Sequence, residues 1–166
     1  MAITRAIPPL TNSNSGKLGQ AINYGNYFAL ANLFNGYVLL SGGPSVRSSV
    51  TVIGTDEKWV IGSIGGAGGA VKYGDQVTLG LPNYNNKLLS GGPGGMRTTT
   101  TNRGTDETWQ IQSLYFDRTG QAVQYGDLVI FSMPSYNGLL LSGGPSVRTG
   151  TTVVNRDEAW LIVCPT

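Results

Sequence analysis

No histidine occurs anywhere in this 166-residue sequence, and there is a single cysteine, Cys164. Without histidine, neither a Ser-His-Asp nor a Cys-His nucleophile can be assembled within the chain, nor any zinc site that uses an imidazole. One cysteine cannot close an internal disulfide, which fits a cytoplasmic protein or one released without a classical signal peptide. Charge is also scarce. Eleven basic residues face nine acidic ones and never cluster, which argues against the phosphate neutralisation that nucleic-acid binding requires. No apolar stretch approaches the ~20 residues that span a bilayer, so direct membrane insertion is not expected. Residues 1–10 carry an arginine and two prolines but no apolar run, unlike a secretory signal peptide.

Glycine is abundant, at 25 residues, alongside many Val, Thr, Tyr and Leu. This composition points to short strands joined by tight turns. The length suits one domain, residues 1–166. Inside it three motifs recur in the same order. Leu-Ser-Gly-Gly-Pro occupies 40–44, 89–93 and 141–145; Asp-Glu-x-Trp occupies 56–59, 106–109 and 157–160; Tyr-Gly-Asn or Tyr-Gly-Asp occupies 24–26, 73–75 and 125–127. Arg47, Arg97 and Arg148 stand at matching places. The repeats run approximately over 21–64, 70–114 and 122–166, with 1–20 as an extra strand and linker.

Each copy reads as four strands. Val71, Tyr73, Val77, Leu79 and Leu81 alternate with small or polar residues, as do Val123, Tyr125, Val129, Phe131 and Met133, the period of a strand with one face in a core. An aromatic-Asn pair and a hairpin turn follow, then a leucine strand, the Gly-Gly-Pro break, a Thr/Val strand and a fourth strand opening on Trp-x-Ile. Three copies predict twelve strands in an all-β fold, a barrel capped by hairpins that leaves no open edge: a β-trefoil. Trp59, Trp109 and Trp160 read as core, and Asp-Glu as turn chemistry.

Glu57-x-Trp59, Glu107-x-Trp109 and Glu158-x-Trp160 resemble the Gln-x-Trp that closes each repeat of ricin-B-like trefoil lectins. The Tyr73-Gly74-Asp75-x-Val77-x-Leu79 string is similar to the first strand of MIR-type trefoil modules. The resemblance spans residues 22–163 at the level of fold. It implies a multivalent, non-enzymatic carbohydrate-binding protein, an agglutinin with up to three pseudo-equivalent sites.

The residues left after turns and core are assigned form the candidate ligand-binding set. Asn26, Asp75 and Asp127 either accept structural hydrogen bonds, for instance from Arg97 or Arg148, or are turned outward by the preceding glycine to meet sugar hydroxyls. Phe34-Asn35, Tyr84-Asn85 and Tyr136-Asn137 are expected at solvent-facing hairpin tips, where an aromatic can stack on a sugar ring. Gly43, Gly92 and Gly144 lie in the repeated loops, whose N–H groups can face a ligand, and Arg47, Arg97 and Arg148 lie beside them. No cofactor or metal is implied. The expected partners are glycans or glycoproteins, with a homodimer open. The alternatives are a protease inhibitor or protein-interaction trefoil, for which one loop should differ from the others, and a targeting partner of a toxin.

Overall fold

The computed structural model describes residues 10–66 and 68–166. The extra strand expected of residues 1–10 lies, Leu10 apart, outside them. Eleven strands form: β1 (Tyr27–Asn32), β2 (Val38–Ser41), β3 (Arg47–Val50), β4 (Trp59–Ser63), β5 (Gln76–Leu81), β6 (Lys87–Ser90), β7 (Arg97–Thr100), β8 (Trp109–Ser113), β9 (Leu128–Met133), β10 (Leu139–Leu140) and β11 (Trp160–Val163). Six of them close an antiparallel ring in the order β1–β4–β5–β8–β9–β11 and back to β1. The inner strands of each repeat rise as a hairpin over one end of the ring: β2–β3, β6–β7, and β10 with its continuation. The chain is a β-trefoil.

The twelfth strand is missing among the described residues. In the third repeat it is reduced to a bridge between Ser142 and Arg148 and a bond from the Leu140 N–H to the Thr151 carbonyl, 2.8 Å. Gly150 stands where the other repeats have Ser49 and Thr99, and a glycine inside a strand weakens it. The first-strand reading is corrected too. Val71 and Tyr73 are buried but do not belong to β5, because Gly74 turns the chain between them with φ +93°. They belong to a plug across the uncapped end. There the Ile22 N–H donates to the Val123 carbonyl (2.9 Å), Val123 to Val71 (2.8 Å) and Val71 to Ile22 (2.8 Å).

The core follows the threefold pattern. Trp59, Trp109 and Trp160 are fully buried, and each indole N–H donates, at 3.0 Å, to the carbonyl of Leu40, Leu89 or Leu141. A buried indole thus brings its large apolar surface without an unpaired donor. The leucines are the first residues of the repeated loop, so one side chain ties barrel to cap.

The caps are tied to one another in a cycle. Thr98 Oγ1 accepts from the Gly43 N–H (3.1 Å) and donates to the Gly43 carbonyl (2.7 Å). The Gly92 N–H donates to Thr149 Oγ1 at 2.9 Å, and Ser48 Oγ donates to the Gly144 carbonyl at 3.1 Å. Each loop is therefore held by the third strand region of the next repeat. Replacing Thr98 by valine should cost about 1–3 kcal/mol, since it strands a buried glycine N–H and carbonyl. The midpoint of urea unfolding measures this, with exposed Thr101→Val as the neutral control.

Candidate functional site

At the rim of the capped end each repeat carries the same polar lock. Thr55–Glu57, Thr105–Glu107 and Arg156–Glu158 form single 3-10 turns. The arginine of the third strand region crosses to the aspartate of this turn: Arg47–Asp56 at 3.0 Å, Arg97–Asp106 at 2.5 Å and Arg148–Asp157 at 2.8 Å. In the outer two repeats the same guanidinium also donates to the Gly42 or Gly143 carbonyl, at 3.0 and 2.8 Å, while Arg97 donates to the Gly95 carbonyl at 2.8 Å. The next residue of each turn, Glu57, Glu107 or Glu158, is buried. Its Oε1 accepts the N–H of Gly54, Gly104 or Asn155, at 2.9, 2.9 and 2.8 Å. Ser90 and Ser142 donate at 2.5 Å to the second oxygen of Glu107 and Glu158. A carboxylate offers an acceptor on both oxygens, whereas a glutamine amide offers one. That is a physical reason for Glu-x-Trp here in place of Gln-x-Trp. Ser41, the equivalent of Ser90, is buried with its hydroxyl unpaired.

Five of the six repeated glycine N–H groups of these loops are consequently not available to a ligand. Those of Gly42, Gly91 and Gly143 donate to the Asp56, Asp106 and Asp157 carbonyls at 2.8–2.9 Å, and those of Gly43 and Gly92 meet the neighbouring threonines. A Cβ on Gly92 would stand 2.7 Å from the Tyr136 ring. Gly144 packs in the same way on Asp157.

Asp75 and Asp127 face neither Arg97 nor Arg148. Asp75 Oδ2 accepts the Lys72 N–H (3.0 Å) and the Tyr24 hydroxyl (2.7 Å). Asp127 Oδ2 accepts the Gln124 N–H (3.0 Å) and the Tyr73 hydroxyl (2.6 Å), with Arg118 at 3.6 Å. Each aspartate thus closes its own turn and accepts a hydrogen bond from the tyrosine of the preceding repeat. Burial, reinforced by Asp75, raises the Tyr24 pKa well above the usual phenol value. In the first repeat Asn26 caps the Asn23 N–H at 2.9 Å, and the corresponding tyrosine, Tyr125, donates to the Tyr27 carbonyl at 2.6 Å.

Of the three hairpin tips only Phe34 is well exposed, with the Arg156 guanidinium over its ring. Tyr84 and Tyr136 are half-buried against the core. Tyr136 donates to Asp106, and Asn35 donates to Asp157 at 2.9 Å. Asn85 and Asn137 take φ of +56° and +55°, a backbone role in the turn that asparagine tolerates.

Among the described residues, two clefts stand open. One lies on the cap rim of the second repeat, about 420 Å³, between Arg97, Thr100, Asn102, Arg103, Thr105 and Asp106. The side chains of Asn102 and Arg103 are exposed there; the other repeats have Val52-Ile53 and Val153-Val154 in their place. The second cleft, about 320 Å³, sits at the uncapped end beside residues 112–119. Its aromatic residues escaped the sequence reading, which followed what the repeats share; the signal was the mismatch between repeats at this point. Among the described residues, no group of three or more Cys, Asp or Glu is arranged to hold a metal.

No protein-family model and no curated protein matches the sequence. Solved structures do match. An SDF2-like protein from Arabidopsis thaliana is 16% identical with a TM-score of 0.71, over 86% of this chain and 94% of that one. A Caenorhabditis elegans protein of unknown function is 15% identical with a TM-score of 0.71, over 88% and 97%. The designed threefold-symmetric protein ThreeFoil is 14% identical with a TM-score of 0.60, over 82% and 97%. These likenesses define the class of fold, the β-trefoil.

The rim lock should report on acid. Tyr136 and Arg97 hold Asp106 below the ordinary carboxylate pKa, and Arg148 and Asn35 do the same for Asp157. The folded protein therefore binds these protons less readily than the unfolded chain. The resulting stability is present above the ordinary carboxylate pKa and is lost as pH falls through it towards the lower folded values. Asp106→Asn and Asp157→Asn should lower the urea midpoint at neutral pH and flatten its decline below about pH 4. In the same assay Ser41→Ala should be neutral or stabilising, while Ser90→Ala should destabilise by about 1–3 kcal/mol.

Proposed function

We infer that this protein is a non-enzymatic carbohydrate-binding protein that meets glycans with the cap rim of its second repeat. The observation that carries this reading is the open polar cleft at Asn102 and Arg103. It sits where a rigid scaffold fixes the surrounding side chains, and Asn102 and Arg103 make no side-chain hydrogen bond to the rest of the described protein. Amide and guanidinium groups present donors in fixed planes, suited to vicinal hydroxyls. The shallow shape suits weak, reversible contact with a terminal sugar. The resemblance of the repeats to trefoil lectins supports the same reading. Catalysis is not part of it: the three buried glutamates are committed to capping bonds, and the repeated aspartates to arginines or tyrosines. Val52-Ile53 and Val153-Val154 in the other two repeats leave this rim site in one copy, so avidity would come from a second site or a second molecule.

A glycan array probed with the folded protein tests the reading. Retention on at least one glycan class is expected, reduced at least about tenfold, some 1.4 kcal/mol, by the Asn102→Ala/Arg103→Ala double variant. Absence of retention on every glycan would refute the proposal.

A further inference from the structure

The chain leaves the barrel at the end of the fourth strand of each repeat, and the three exits differ. After β4 it runs through Ile64-Gly65-Gly66, and after β11 through Cys164-Pro165. After β8 it runs through Leu114-Tyr115-Phe116-Asp117-Arg118-Thr119. Tyr115 and Phe116 are 62% and 67% exposed, the most exposed of the large hydrophobic residues described. Register places them at the end opposite the cap rim, since Ser113, the last residue of β8, pairs with Val129 near the start of β9.

This loop is fixed from both sides. Asp117 Oδ1 accepts the Thr119 N–H (2.9 Å) and hydroxyl (2.6 Å), which hold its carboxyl below the ordinary pKa. Arg118 folds back over the Tyr73 ring, 4.8 Å from its centroid, and reaches Asp127 at 3.6 Å. The Gly120 N–H closes the loop onto the Tyr73 carbonyl at 2.9 Å. Aromatic side chains displayed on a pinned loop lose little entropy on binding. Beside them lies the cleft of about 320 Å³, at the small end of the roughly 300–1,000 Å³ range of ligand pockets. Among its lining residues the Gln112 side-chain amide makes no hydrogen bond within the described protein, so it brings both a free donor and a free acceptor to the cleft.

We propose that residues 112–119 form a single-copy site for one pyranose ring, stacked on Tyr115 or Phe116 and hydrogen-bonded by Gln112 and the outer oxygen of Asp117. This site rests on the carbohydrate-binding reading and would be a second one, at the far end. The stacking face and the edge hydroxyls of a pyranose match a lining that combines aromatic rings with polar side chains. A purely apolar occupant would leave the Gln112 amide and the Asp117 carboxylate desolvated without partners. Arg118 is a positioning residue, holding the loop through Tyr73 and Asp127.

The test is two-dimensional NMR of the isotope-labelled full chain, titrated with methyl pyranosides of glucose, mannose, galactose, N-acetylglucosamine and fucose. The expected result is saturable shifting of the Gln112 side-chain amide and the backbone amides of 113–119 by at least one glycoside, with a Kd on the order of 1 mM. Tyr115→Ala/Phe116→Ala, at exposed positions, should weaken this at least about tenfold, while Asn102→Ala/Arg103→Ala leaves it within about twofold. Glycoside shifts confined to the cap rim would overturn this proposal and leave the lectin reading standing. No shifts anywhere would end both for these sugars, as would an unchanged response in the aromatic double variant for the loop alone. Inhibition of a member of a protease panel that Tyr115→Ala abolishes, without any glycoside response, would instead assign the loop to protein docking and overturn the proposal.

Discussion

The structure depends on hydrogen bonds that each repeat hands to the next around a closed circle. One circle plugs the uncapped end, through Ile22, Val71 and Val123. Another clasps the caps, through Gly43 and Thr98, Gly92 and Thr149, Gly144 and Ser48. Between them the three tryptophans join barrel to cap. Because every circle passes through all three repeats, breaking one contact releases partners in two of them. This makes the domain a single cooperative body, in contrast to linear repeat arrays whose units contact only neighbours.

The fold was legible because its determinants are written three times. The Trp-x-Ile pattern, the Asp-Glu turn and the Gly-Gly break all do in the structure what their chemistry suggests. The candidate site was less legible for the same reason. Repetition marked Arg47, Arg97, Arg148, Asp75 and Asp127 as special, and a linear sequence does not show whether a repeated polar residue faces a ligand or another repeat. Here the arginines close on the Asp-Glu turn of their own repeat, and the two aspartates meet a tyrosine of the preceding one. The partner of Asp75 is Tyr24, 51 residues away, and that of Gly43 is Thr98, 55 away. No local spacing rule connects such pairs.

On the proposed reading, function and scaffold are divided between two kinds of residue. Those that obey the threefold rule are spent on holding the frame. Those that depart from it, Asn102 and Arg103 at one end and Tyr115 and Phe116 at the other, stand on a frame rigid enough to keep them in place. A pseudo-symmetric body tolerates such departures because each loop tip makes few of the circular contacts. Two unlike surfaces at opposite ends would also let one molecule touch two ligands at once, which three equivalent rim sites would not do in the same geometry.

The circular contacts carry an implication for how such a chain can be assembled from less. The second repeat holds both halves of each hand-over: Tyr73 and Asp75, Gly92 and Thr98, and the N–H and carbonyl of Val71. Three separate copies of that one segment would offer one another the same set of partners that the joined repeats share. The peptide links between repeats therefore contribute mainly local concentration, and the recurring unit is the smallest piece of sequence that contains the whole plan.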